Sequence, residues 1–205
     1  MLYPVITKAD LKELYTKKNL SMMQISKQLG CSHHKVAYWM GEYKIKRRSI
    51  SDALYIKCNP GGDPFKIKDP ETNKELILFG LGVGLYWGEG NKAHKNAVRI
   101  GNSDPELLKL YILFLTKLCG VKREALKFDL QIFSNINAIS ALRYWTKELN
   151  VKADQFFKPR VTISGSIGTY MKKSRYGVVT IYLGNTKLRN IVVGQITDVV
   201  KLLTP

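Results

Sequence analysis

The stretch FGLGVGLYWGEGNK, Phe79 to Lys92, decides how the second part of the chain is read. Five glycines fall within the eleven residues Gly80 to Gly90, and one acid, Glu89, stands near the end. A dinucleotide-binding turn needs G-x-G-x-x-G. After Gly80 and Gly82 the third place is Leu85, and after Gly82 and Gly84 it is Trp87, so that reading fails. A membrane span needs about 20 apolar residues. This run is shorter and is bounded by Lys74, Glu75 and Glu89. A packed helix is what remains.

Thr72 to Glu75 supplies its start, a T-x-x-E capping box, and the spacing predicts a helix from about Asn73 to Gly88. On it Leu78, Leu81 and Leu85 share one stripe, and Gly80, Gly84 and Gly88 share another. Each glycine in a helix interior costs roughly 1 kcal/mol against alanine. Close approach of a second helix offsets such a cost, as in small-xxx-small packing. The helix then delivers Glu89 at its C-terminal end, where the dipole is already negative and a carboxylate is poorly placed. Glu89 is either a surface acid of no consequence or the ligand of a divalent cation.

The chain has 205 residues, with 33 Lys and Arg against 16 Asp and Glu, a net charge of +17. The apolar share of 45% is enough for a packed core, which excludes wholesale disorder. The excess charge is spread: 13 bases to 6 acids up to Pro70, and 9 to 2 from Val151 onward. A polyanion, nucleic acid first, is the partner such a balance implies. A basic protein with no nucleic-acid role is the plainer reading. Three scattered cysteines, Cys31, Cys58 and Cys119, with no CxxC, argue against a disulfide framework and a zinc ribbon. With no signal peptide visible, a reducing, cytosolic and nucleoid-associated location is expected.

The N-terminal part reads as a helix-turn-helix. Thr7 and Asp10 open a first helix, and Ser21 caps a second with Met22, Ile25 and Leu29 inward. Gly30 turns the chain, and Ser32 caps a third helix with Val36, Trp39 and Met40 facing the core. In that motif the early residues of the last helix meet base edges. Here those are Ser32, His33, His34, Lys35 and Tyr38. The basic run that follows offers Lys46, Arg47 and Arg48 for phosphates, with a solvated face as the alternative. A three-helix bundle used for protein contacts fits the same pattern.

The Pro- and Gly-rich segment CNPGGDPFKIKDP suggests a linker, placed over residues 51–71. The remainder, 72–205, alternates helices with strands at 97–101, 127–133, 160–164 and 178–183. The last two flank GTYMKKSRYG and read as a hairpin. The expected class is α+β: a helix-turn-helix domain over 1–50, then an antiparallel or mixed sheet packed on helices, with its polar face turned to duplex DNA. Lys95, Arg99, Lys127, Gln131, Arg160, Lys172, Lys173 and Arg175 are the contacts expected there, with Lys92 beside them. Solvent is the simpler occupant of such a face.

GVGLYWGEG, Gly82 to Gly90, resembles the nine-residue signature of the LAGLIDADG homing endonucleases. Gly84, Leu85, Glu89 and Gly90 match its glycine, leucine, second acid and closing glycine, and Trp87 stands at the first acid. The layout from Lys74 onward is similar, and the whole chain is similar to compact prokaryotic members with a leading helix-turn-helix. The resemblance implies a homodimer, because only one signature is present. It makes Gly80, Gly84 and Gly88 the dimer contact, and the target a near-palindromic duplex. It also implies Mg²⁺, or another divalent cation such as Mn²⁺, held by Glu89 and the Gly88 carbonyl, with Glu89 catalytic in a double-strand break. A non-catalytic regulator or a maturase-like RNA-binding protein of the same fold remains open. Neither a membrane nor a small-molecule substrate is expected.

Overall fold

The computed structural model of the chain describes residues 6–163 and 174–204. The chain divides into two compact units, Met1–Asp63 and Pro64–Pro205.

The first unit is helical. Helix α1 (Lys8–Lys12) is capped by Thr7, whose hydroxyl accepts from the Asp10 N–H, and runs into a π-helical turn, Glu13–Lys17. Helix α2 (Met22–Gln28) begins with the reciprocal Ser21–Gln24 capping box, and α3 (His33–Glu42) begins at Ser32. Gly30, at φ +60°, takes the left-handed turn between them. Leu11, Ile25, Val36 and Met40 are fully buried together.

Helix α4 (Ile50–Cys58) occupies the first part of the segment expected to be a linker. The reason is local: Ser49 caps it, accepting from the Asp52 N–H and donating to the Asp52 carboxylate, while the chain breakers begin only at Asn59. The far end of that segment belongs to the second unit. The Lys66 and Lys68 N–H groups donate to Cys119 and Leu118 carbonyls, and Phe65 joins that core.

The second unit runs α5 (Asn73–Glu89), β1 (Val98–Asn102), α6 (Pro105–Lys117), β2 (Lys127–Phe133), α7 (Ala138–Leu149), β3 (Arg160–Thr162), β4 (Val178–Leu183) and α8 (Thr186–Leu203). The sheet order is β1-β4-β2-β3, with β4 antiparallel to both neighbours and β3 parallel to β2. The protein is therefore α+β with a mixed four-stranded sheet among the described residues.

The expected β3–β4 hairpin does not form. The connection from β2 to β3 carries α7, and a helical crossover brings the next strand back parallel. That leaves β3 at the edge. β4, whose Val179 and Ile181 are fully buried, takes the centre, where both of its edges pair. Ser164 and most of GTYMKKSRYG, including Lys172 and Lys173, lie outside the described residues.

One face of the sheet is apolar and covered. Val98, Ile100, Phe128, Leu130, Val179 and Ile181 are fully buried with Tyr86 of α5, Leu108 and Tyr111 of α6, Trp145 of α7 and Leu188 of α8. The Trp145 indole N–H finds the Tyr176 carbonyl at 2.8 Å, the partner a buried indole requires. Gln155, also buried, ties the loop after α7 to the approach of β2 through the Arg123 and Leu126 carbonyls.

Candidate nucleic-acid interface

The other face of the sheet carries the polar residues. Strand pairing sets Arg99, Tyr182 and Lys127 in one row, then Gly101, Thr180 and Asp129, then Val178, Gln131 and Arg160. Arg99 lies over the Tyr182 ring at 5.8 Å, so the ring holds the cation on this face. The Arg99 Nε is enclosed yet has no hydrogen-bond partner. Tyr182 is a member that the basic-residue count misses, although period-2 alternation already puts it on this face.

Not every expected contact is free to meet a phosphate. Arg160 grips Asp129 through two bonds, Nε to Oδ1 at 3.0 Å and Nη2 to Oδ2 at 2.6 Å, which cancels its charge locally. Gln131 donates to the Thr162 hydroxyl at 3.3 Å. Arg175 is exposed, with its guanidinium 5.4 Å from the Tyr176 ring centre. Lys95 is exposed in the loop before β1.

In the first unit, Tyr38 (60% exposed) and His34 project to solvent from α3, while His33 and Lys35 are half-buried. Ser32 is exposed, but its hydroxyl accepts the Lys35 N–H at 3.2 Å and so serves as a cap. Lys46 and Arg47 are exposed.

Arg48, expected to meet phosphates with Lys46 and Arg47, is turned inward in this fold. Its guanidinium lies 4.0 Å over the Tyr15 ring and donates to the Tyr15, Asn19 and Leu20 carbonyls. These are acceptors left open where the π-helical turn ends, which is why a cation is taken inward. Charge pattern alone cannot separate this residue from its neighbours Lys46 and Arg47.

Helix α5 shows two glycine faces. Gly82 is buried against α6, and a Cβ there would stand 2.3 Å from the Phe114 ring. Gly80, Gly84 and Gly88 are exposed, and a Cβ on any of them would meet nothing within 4 Å. Ile77 (63% exposed), Leu81 (43%) and Trp87 (53%) share this bare side, so Leu81 does not join Leu78 and Leu85 toward the core. Among the described residues of this unit, the glycine stripe expected at a helix contact has no partner.

At the C-terminal end of α5, Glu89 is exposed, and the Lys92 ammonium donates to the Trp87 carbonyl at 2.5 Å. Lys92 therefore caps the last turn, where a cation suits the dipole. Arg189 of α8 fixes the Lys92 main chain by donating to its carbonyl. The hydroxyl of Tyr86 sits beside Arg189; burial raises its pKa, and the guanidinium opposes that rise. Nothing in the sequence marks Arg189 as part of this end.

Mg²⁺ and Mn²⁺ take oxygen donors, and the Glu89 carboxylate and a last-turn carbonyl are of that kind. Among the described residues no three His, Cys, Asp or Glu side chains come together as a metal site, so these two donors do not by themselves make one. No family model, no curated protein and no solved structure matches this chain. Among the described residues no helix is long and apolar enough to cross a membrane.

Proposed function

We propose that the protein is a site-specific DNA endonuclease that acts as a homodimer. The observation that carries this reading is the bare face of α5: Gly80, Gly84 and Gly88 lie open along a helix that ends in exposed Glu89. Open glycines let a second α5 approach backbone to backbone, which brings the two Glu89 carboxylates side by side. Two such carboxylates repel unless a cation lies between them. The Glu89 side chains and Gly88 carbonyls would hold Mg²⁺, or Mn²⁺, and the ion would supply Lewis-acid stabilisation of charge at the scissile phosphate.

The chain's own residues do the rest. Arg99, Tyr182 and Lys127 form the part of the sheet face best suited to lie along a duplex. His34 and Tyr38 of α3 reach base edges, while Lys46 and Arg47 hold phosphates and set register. Lys92, held by Arg189, keeps the end of α5 closed so that Glu89 points out at a fixed height. The net charge of +17 supplies the long-range attraction.

Selection of cleaved ends from a randomised duplex library with Mg²⁺ tests the reading. Cleavage of one near-palindromic site is expected, with a loss of at least about 100-fold in Glu89→Gln and DNA affinity kept. Equal cleavage by wild type and Glu89→Gln defeats it. The spread charge also fits a non-catalytic regulator, for which binding is tight and salt-sensitive, no site is cut, and Mg²⁺ changes nothing.

A further inference from the structure

Helix α4 is built differently from the other helices of the first unit. No residue of it is buried; Ile50 is 90% exposed and Leu54 58%. Its start is nevertheless fixed. Arg48, two residues before it, is locked to the Tyr15, Asn19 and Leu20 carbonyls, and the Arg48 N–H donates to the Tyr15 hydroxyl at 2.8 Å. Its exit is tied only locally, the Tyr55 hydroxyl donating to Asp63 at 2.8 Å across the turn that follows. A helix fixed at its start and buried nowhere leaves room beneath it.

That room is a groove of about 760 Å³ between α4 and the connection from the π-helical turn to α2. Its apolar wall is made by Leu20, Ile50, Ala53, Leu54, Ile56 and Pro60. Lys18, Arg48 and Lys57 stand around it, and no acid lines it. Lys18 is answered by Glu13 at 3.0 Å, and Arg48 is held to three main-chain carbonyls through its Nη groups. Lys57 is an exposed lysine at the rim. The size is that of a small-molecule site, pre-formed and apolar with a few placed polar groups.

We propose that this groove binds an amphipathic organic anion, with its apolar body along Leu20, Ala53 and Leu54 and its acid group at Lys57. The occupant is one small molecule rather than a macromolecule, because charge complementarity asks for a single negative head on an apolar body. The site does not depend on the nuclease reading, since the acid group is placed at Lys57 and the apolar body on Leu20, Ala53 and Leu54, none of which was assigned to DNA or to Glu89. It makes the first unit a ligand-responsive module, with a pocket one turn of chain away from the basic run.

Titration of the isotope-labelled full chain with decanoate, and separately with decanol, tests this. Decanoate is expected to give saturable amide shifts confined to the residues around Leu20 and Ile50 to Lys57, with a dissociation constant below about 1 mM. Decanol is expected to bind about tenfold more weakly. Lys57→Gln removes that tenfold preference and leaves decanol unchanged. Ala53→Trp, on an exposed helix position, fills the groove and abolishes both, and Leu54→Gln weakens both. Shifts that never saturate, shifts spread over the surface, or binding unchanged in Ala53→Trp and Leu54→Gln overturn the proposal.

Discussion

Gly82 of α5 lies against Phe114 of α6 so closely that a Cβ at position 82 would stand 2.3 Å from the ring carbons Cγ and Cδ2. No side chain fits there without moving an aromatic ring that is itself fully buried. Gly84, two residues on, faces open space. The same substitution is thus expected to have opposite signs at the two positions. Gly82→Ala should destabilise the second unit by about 1–3 kcal/mol through overpacking. Gly84→Ala should stabilise the separate chain by up to about 1 kcal/mol through helix propensity. Urea unfolding at low protein concentration measures both, and a neutral Gly82→Ala contradicts the packing described.

The bare face gives the second prediction. If α5 meets a second α5 there, a side chain at Gly84 keeps the backbones apart while leaving the fold intact. Wild type is expected to sediment as a dimer and Gly84→Leu as a monomer of unchanged circular dichroism. A wild type that remains monomeric at concentrations where it binds DNA removes the dimer from the proposal. Gly80→Leu and Gly88→Leu should behave alike, since all three positions share the stripe.

The basic run Lys46-Arg47-Arg48 gives a third. Lys46 and Arg47 are exposed, whereas Arg48 is bound inward to main-chain carbonyls. Lys46→Gln and Arg47→Gln should each lower the salt slope of DNA binding by about 1 and leave stability alone. Arg48→Met should instead cost about 2–4 kcal/mol of stability, because several acceptors lose their donor at once. A thermal melt and a salt titration on the three variants separate the roles. A salt-slope change in Arg48→Met with an unchanged melt reverses the assignment.

What could be read in advance follows the range of the chemistry involved. Thr7, Ser21, Ser32, Thr72, Asp104 and Asn137 each cap a helix through a contact two or three residues away, so the residue order contains the whole interaction. Alternation in KFDLQIF and VVTIYL likewise assigns faces, and Phe128, Leu130, Val179 and Ile181 do turn inward. Alternation says nothing of neighbours, which is why β3 was free to leave β4 and pair with β2. The inward turn of Arg48 depends on carbonyls 28 to 33 residues away. Glycine spacing in α5 shows a stripe but not which glycine is inside; Phe114, in another helix, decides that for Gly82. The end of α5 was legible as far as Glu89, while its closure by Lys92 and Arg189 depends on a helix 97 residues further along.

Acid offers a test at the other end of α5. The Lys68 ammonium hydrogen-bonds to Glu75 at 2.9 Å, and the Glu71 and Thr72 N–H groups donate to the same carboxylate. Together they pull Glu75 from 4.5 down to about 2, with the Lys68 hydrogen bond the largest cause. A carboxylate whose pKa is lower when folded stabilises the fold fully above its free value and loses that contribution as pH falls. The window is therefore from 4.5 down to about 2. Glu75→Gln is the informative variant, because glutamine still completes the capping box with Thr72 but cannot hold Lys68 as an ion pair. Wild type should be the more stable of the two at neutral pH, and the gap should close across that window and shrink in high salt. Melting temperatures that stay equally far apart down to the lower end of the window would mean that the charge on Glu75 contributes nothing to holding the first turn of α5.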